Sequence, residues 1–511
     1  MTFARLLSLV LLFSPNAIIG SATAQDLPDA LERFAGETRI ETQPPLPTHL
    51  ELHRDGAAIK GTISMPIGAF EMTATQQQIG SITGSFEGPG GTGDMTLAVD
   101  GDMLTGTFSL GEARGTISAQ RTVLDARTFF LPPPEMVDLT TAQWFEDLDR
   151  LTEILTQEHA APFHRIAREE FEREVTRVRA AIPDLDGIGV ALELRKLGAL
   201  IGDGHTQVAL PHNPRLPVEF FWFQDGLRVV GISVDHQAAL GAKLVAVNAV
   251  PVDEVVARLR PFIPAGETEG FFRAGVPGLL SNPDVLAAIG VVDGSPVPLT
   301  FEAQDGGLAP VELTASSDAG EWATLNGGAP LWQQEGNQSF WSQTLADGSL
   351  YVNWRSYDHL ADKVAALLRD LDAQRPPRLI IDLRDNTGGD YNAGRAFIEA
   401  IGSRPWLNRA GGLYVLIGRT TFSAAMTNAV DFKTMTNAIL VGEPAGAAPN
   451  NWQEVRRFNL PNSGLLVGVS TLHYEFLPGE AEVRPDLHVW SEPGDWGASQ
   501  DASVRLILAQ P

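Results

Sequence analysis

The sequence has no cysteine, so disulfides and thiol chemistry are both closed to it. Positive charge is also scarce. Against 63 Asp and Glu stand only 37 Lys and Arg, for a formal net charge of -26. Nucleic acid and anionic membrane surfaces both require basic patches, so neither is expected as a partner. Beyond the N-terminal region no stretch approaches the roughly 20 apolar residues that a membrane-spanning helix needs. Several catalytic signatures are missing too. Without a Gly-x-Ser-x-Gly elbow, an α/β-hydrolase is not expected, and without Ser-x-x-Lys or Lys-Thr-Gly the penicillin-recognising enzymes are excluded. There is no His-Glu-x-x-His and no tight cluster of histidines and carboxylates, so neither a metal nor a cofactor is expected.

What is present is a soluble globular composition, 44% hydrophobic, in a chain of 511 residues that suggests two to four domains. The N-terminus places Arg5 before an apolar run, Leu6 to Phe13, and ends in "SATA" before Gln25. This pattern reads as a secretory signal over 1–24, and it implies a periplasmic or secreted protein with no membrane span after cleavage. Residues 25–48 are polar and proline-rich and read as a linker. From 49 to 124, short runs such as "GSITGSFEG" and "DMLTGTFSLG" alternate between glycines, as an accessory antiparallel β domain of hairpins would.

After "LPPPE", residues 139–212 read as a helical segment, with Trp144, Leu148, Leu151 and Leu155 at helical spacing. Strands return over 213–315, a β/α region. The segment 316–346 is rich in Gly, Ser and Gln and reads as a connection. From 347 to 511 strands and helices alternate, as in a buried, mostly parallel sheet covered by helices. In such sheets sites form beyond the carboxyl ends of the strands.

Three stretches fall at such positions or in turns beside them. In "GRTTFSAAMTNAV" Ser423 opens a helix just past a strand. It is either an N-cap or a nucleophile. In "DLRDNTGGD" two glycines follow a strand and let the backbone approach a ligand, unless they form only an ordinary turn. In "LIGDGHTQVAL" His205 sits in a turn, as a base, a metal ligand or a surface residue.

Together with "ILVGEPAGAAPNNW", "LPNSGLLVGVST" and "RPDLHV", these stretches resemble the tail-specific, or C-terminal processing, serine peptidases, whose catalytic core is shared with tricorn protease. The resemblance implies a multidomain α/β protein with a crotonase-like (ClpP/crotonase) catalytic core. It implies Ser423 as the acyl-forming nucleophile, with the oxyanion held by N–H groups of Gly388 or Gly389 and of Ala424. Many members use a lysine about 25 residues after the serine. Here that turn, "GEPAGAAPNN", has none. Lys433 lies ten residues into the helix, about 15 Å from Ser423. The tricorn-like branch uses histidine and a carboxylate instead, and His205 matches that histidine. Glu480 is the first candidate for the carboxylate, with Glu475 and Glu482 beside it, and His473 is a rival base. Residues 225–259 resemble a degenerate PDZ-like domain without its carboxylate-binding loop. The expected activity is hydrolysis of a peptide or protein substrate. A non-catalytic binding protein and a small-molecule esterase or amidase are the alternatives.

Overall fold

The computed structural model describes residues 31–121 and 139–510, apart from short connections at 41–45, 56–57, 66–67, 79–80, 89–90, 101–102, 112, 211–214, 304, 317–319, 336–337 and 358–359. The signal segment expected over 1–24 lies outside the described residues. The chain divides into two units, Met1–Pro132 and Pro133–Pro511. No helix among the described residues is long and apolar enough to cross a membrane.

The first unit is a closed antiparallel barrel of eight strands: β1 (Leu31–Ile40), β2 (Leu46–Asp55), β3 (Ala58–Met65), β4 (Gly68–Gln78), β5 (Ser81–Gly88), β6 (Gly91–Asp100), β7 (Met103–Leu110) and β8 (Ala113–Arg121). Alternate residues point inward, and Phe34, Leu50, Leu52, Ile82, Leu97 and Leu104 are completely buried. Eight strands leave an interior just wide enough for side chains to fill. Glycine recurs because strands press together: a Cβ on Gly84 would lie 2.2 Å from the Thr73 carbonyl oxygen. The barrel starts at Leu31, inside the segment 25–48 expected to be a linker. Strand β1 closes the barrel on β8, with Phe34 opposite Arg121. That pairing spans the whole unit and leaves no local trace.

The second unit begins with α1 (Thr141–Glu153), entered through a capping box of Thr140 and Gln143. Helices α2 (Arg168–Ala181) and α3 (Gly187–Leu200) pack with it, and the turn after α3 leads into the short strand β9 (Gln207–Val208). Strands β10 (Val218–Phe223), β11 (Gly226–Ser233), β12 (Lys243–Val247) and β13 (Val250–Pro251) follow. Then come α4 (Val252–Leu259), α5 (Glu269–Leu280), α6 (Pro283–Ala288), β14 (Val297–Glu302) and β15 (Leu308–Leu313). With β16 (Trp322–Thr324) the strands form a seven-stranded sheet.

Strand β17 (Phe340–Thr344) is the edge of a six-stranded sheet. It pairs antiparallel with β18 (Leu350–Trp354). From β18 the sheet is parallel, crossing through α7 (Leu360–Gln374) to β19 (Leu379–Asp382), α8 (Tyr391–Gly402) to β20 (Leu413–Ile417), and α9 (Ala424–Met435) to β21 (Ile439–Gly442). The antiparallel pair β22 (Asn450–Asn459) and β23 (Leu466–Glu475) extends to β9. Strand β24 (Leu487–His488) completes the large sheet, and α10 (Ala502–Leu508) ends the fold. Every residue of β18 and β20 is buried, as in a sheet covered on both faces. The expected connection 316–346 therefore carries two strands. Both are edges of three and five residues, too short to show a periodic pattern.

Candidate active site

The turn from β20 into α9 is stitched to the turn after β19. Thr421 Oγ1 donates to the Leu383 carbonyl at 2.8 Å, and Thr420 Oγ1 donates to the Arg384 carbonyl. The Phe422 N–H donates to the Asn386 carbonyl at 3.1 Å. Two of the three hydroxyls that could have capped the helix are thereby used between loops. The third belongs to Ser423, which has φ 51° and ψ −128° and makes no side-chain capping bond. Its carbonyl accepts from the Thr427 N–H and opens the helix. Positive φ at a residue with a Cβ costs on the order of 1–3 kcal/mol and persists only where surrounding structure imposes it. The N-cap alternative therefore fails for Ser423. Ser423 thus combines a strained backbone with a hydroxyl that has no hydrogen-bond partner among the described residues.

The two glycines of "DNTGGD" meet this serine. Gly388 has φ 113°, and a Cβ on it would lie 2.6 Å from Ser423 Cβ and 3.1 Å from the Ala424 nitrogen. No other residue fits. Asn386, fully buried, sets the loop: its Nδ2 donates to the Trp354 carbonyl at 2.9 Å and its Oδ1 accepts the Gly388 N–H at 2.9 Å. The Gly388 N–H is thus already spent. Gly389, at φ 156°, packs its α-carbon against Tyr357. Neither the Gly389 N–H nor that of Ala424 has a hydrogen-bond partner among the described residues. Ala424 is the first residue of α9, where orphan N–H groups and the helix dipole both favour negative charge.

The His205 ring lies tilted against that of Phe422, the residue before Ser423, with ring centroids 4.6 Å apart. The turn that carries it is held by Asp203, which is fully buried and accepts the N–H groups of His205 at 3.1 Å and Thr206 at 2.8 Å. Asp203 also binds Ser470 Oγ at 2.5 Å and His159 Nε2 at 3.0 Å, which ties the turn to β23 and to the segment that follows α1. These bonds hold the Asp203 carboxyl below its ordinary pKa against the opposing effect of burial. The His205 imidazole is different. Burial pushes its pKa down to about 4, while the Asp203 charge and the nearby Trp452 carbonyl pull it up less strongly. Both ring nitrogens are buried, and neither completes a hydrogen bond, with Ser423 or with anything else described. Leaving them so costs roughly 1–3 kcal/mol each.

The expected carboxylates are elsewhere. Glu480 and Glu475 are exposed to solvent, and Glu482 is paired with Arg484 at 2.7 Å. None of the three bonds to His205, so the structure does not bring Glu480 to the histidine. Their charges stay hydrated, and no desolvated cation draws them inward. His473 is exposed and packs edge-on against Trp452. The carboxyl that does reach this region is Glu267, which the sequence reading missed. It accepts from the Gly204 N–H at 2.8 Å, the Ala448 N–H at 2.7 Å and Asn451 Nδ2 at 2.8 Å. Burial pushes its pKa up to about 7 despite these donors. In "PAGETEGFF" it looks like a helix-start acid, and only contacts more than 60 residues away in sequence distinguish it. Among the described residues no cluster of His, Asp and Glu could hold a metal ion.

No family model matches the sequence, and no curated protein is similar to it. Solved structures are. Mature CPAF is 14% identical, covering 70% of this chain and 94% of that one, with a TM-score of 0.49. The photosystem II D1 C-terminal processing protease is 14% identical over 69% of this chain and 94% of that one, at a TM-score of 0.35. A putative S41 protease from Bacteroides fragilis is 13% identical over 57% of this chain and 80% of that one, at 0.28. The likeness, at 13–14% identity, is one of chain fold alone. At TM-scores below 0.5 it says nothing of activity, which has to be read from the site itself.

Proposed function

We propose that the chain is an exported serine peptidase with its crotonase-like core over 347–511 and a PDZ-like module over 213–315. The Ser423 hydroxyl attacks the scissile carbonyl, and His205 takes its proton. The N–H groups of Gly389 and Ala424 hold the oxyanion, while Gly388 lets the two backbones meet. His205 then passes the proton to the departing amine, leaving an acyl-enzyme that water hydrolyses. Asp203 supplies the negative charge near the imidazole, a part that Glu480 does not reach. The observation that carries this reading is the strained Ser423 backbone, with an uncapped hydroxyl beside two unspent N–H groups. The unpaired imidazole supports it, because an incoming substrate gives those nitrogens their partners.

The test is labelling with an uncharged fluorophosphonate, mapped by mass spectrometry, on wild type, Ser423→Ala and His205→Ala. Label is expected on Ser423 alone, absent from the serine variant, and slower by about 100-fold or more without the histidine. Folded wild type that takes no label would sink the proposal.

A further inference from the structure

A cleft of about 520 Å³ opens beside this site, and it is lined by Gly204, Thr387 and Phe422. Each of these is the sequence neighbour of a residue given a role above: His205, Gly388 and Ser423. Part of the wall is apolar, formed by Leu210, Ile263, Phe271 and Leu279. The charged lining is entirely basic. Arg195, Arg215 and Arg419 face the cleft, and no Asp or Glu does. In a chain of net charge −26 this is an inversion of the local rule.

The three arginines are not equivalent. Arg419 is already neutralised, because Glu443 binds its guanidinium at 2.5 Å and the Trp222 carbonyl accepts from it at 2.6 Å. Arg195 and Arg215 have no ion pair among the described residues. Arg195 donates one bond, to the Val208 carbonyl at 3.0 Å, and its Nε is buried without a partner. Burial and the Arg215 charge both push its pKa down, with no carboxylate to oppose them. Arg215 is half-buried and donates to the Gly278 carbonyl at 2.6 Å. Two guanidinium groups that repel each other, one of them largely desolvated, are costly to keep without an anion. Arginine presents a planar fork suited to a carboxylate. An apolar wall joined to such a fork matches a short methylene stem that ends in a carboxylate.

We infer that this cleft is a specificity subsite in which Arg195 and Arg215 receive an acidic side chain of the substrate peptide, Asp or Glu, near the scissile bond. The inference rests on the peptidase reading and adds the substrate class to it. Charge-assisted bonds to a desolvated guanidinium give a preference for Glu over Gln of about tenfold or more at one position.

The experiment digests a peptide library with the full-length protein and maps the cleavage sites. Peptides carrying Glu, Gln or Lys at the mapped position, with blocked termini, are then compared by kcat/KM. Enrichment of Asp or Glu at one fixed distance from the cut is expected. Arg195→Gln is expected to reduce the Glu preference, and Arg215→Glu to invert it so that Lys exceeds Gln and Gln exceeds Glu. Inversion is a readout that a merely structural role would not produce. Arg215 holds one carbonyl at the surface, so its variant keeps the test open if Arg195→Gln does not fold. Equal turnover of Glu and Gln, a Glu preference untouched by Arg215→Glu, or a preference only for a free C-terminal carboxylate overturns the inference. If Ser423 takes the fluorophosphonate label and peptides are cut without acid preference, this inference fails and the peptidase reading stands. Absence of label, or label without any peptide cleavage, removes both.

Discussion

Burial pushes the His205 pKa down to about 4, so with His205 as the proposed base a distinctive pH profile is expected. A base works only unprotonated, so its rate follows the neutral fraction and falls as pH drops through its pKa. With that pKa at about 4, the fluorophosphonate labelling rate should be flat from pH 8 down to about 5 and half-maximal near 4. A midpoint near the ordinary 6.5 would mean the imidazole is solvated in the reacting form. The same two buried groups set opposing stability trends. His205 has a depressed pKa, so its contribution is present above pH 6.5 and is lost as pH falls toward 4. Glu267 has a raised pKa, so its contribution is present below 4.5 and is lost as pH rises to about 7. Fixing Glu267 neutral with Glu267→Gln isolates the second trend. The difference in unfolding free energy between variant and wild type should move by about 3 kcal/mol in the variant's favour between pH 4.5 and 7. Chemical denaturation at a series of pH values measures it, and parallel curves would show that Glu267 is not desolvated. Gly388→Ala tests the backbone approach. The added carbon meets Ser423 Cβ at 2.6 Å in a left-handed conformation, so labelling should fall by about 100-fold or more, far beyond any change in Tm. At this scale Ser423, His205 and the glycines of the proposed site could be picked out in the sequence, because each sits in a recognisable turn. The sequence hid Asn386 and Glu267, whose significance lies in contacts remote along the chain.

The elements that carry these turns are held by buried ion pairs rather than by the turns themselves. At the end of β19, Arg384 is clamped between Asp382 at 2.5 Å and Asp501 at 2.6 Å, with Tyr351 Oη donating to Asp382 at 2.6 Å. Asp501 also caps α10 by accepting from the Val504 N–H at 3.0 Å. The last helix is thus fastened to the loop that leads to Asn386 and the glycines. Asp501→Ala leaves a buried guanidinium with one carboxylate and removes a helix cap, so it should cost about 3–5 kcal/mol. Equilibrium unfolding checks this, and a cost under about 1 kcal/mol would mean that the charges are solvated. The parallel strands of the large sheet were legible because buried strands read as continuous apolar runs. Strands β16 and β17 were not, because both are short and their partners are set by the fold.

Across the whole molecule, the division of labour follows the division of cores. The barrel's buried cluster runs from Phe34 to Ala119, and none of its members belongs to a core of the second unit. All the groups given a part in the proposed chemistry, from Asp203 to Ala424, lie in the unit Pro133–Pro511. Periodicity made the barrel's hairpins readable, but closure was invisible, since the pairing of β1 with β8 joins the two ends of the unit. Closure also means that no barrel strand is left with an open edge awaiting a partner from elsewhere in the chain. A chain beginning at Pro133 should therefore fold and take the fluorophosphonate on Ser423 within about twofold of the full-length rate. Peptide turnover by the same truncated protein separates two parts that the barrel can play. Equal kcat/KM for short and long substrates would make it a passive appendage. A loss confined to long substrates, with short peptides and labelling unaffected, would make it a device for holding the polypeptide to be cut. Loss of labelling itself would show that the second unit depends on the barrel for its fold, against the separation of their cores.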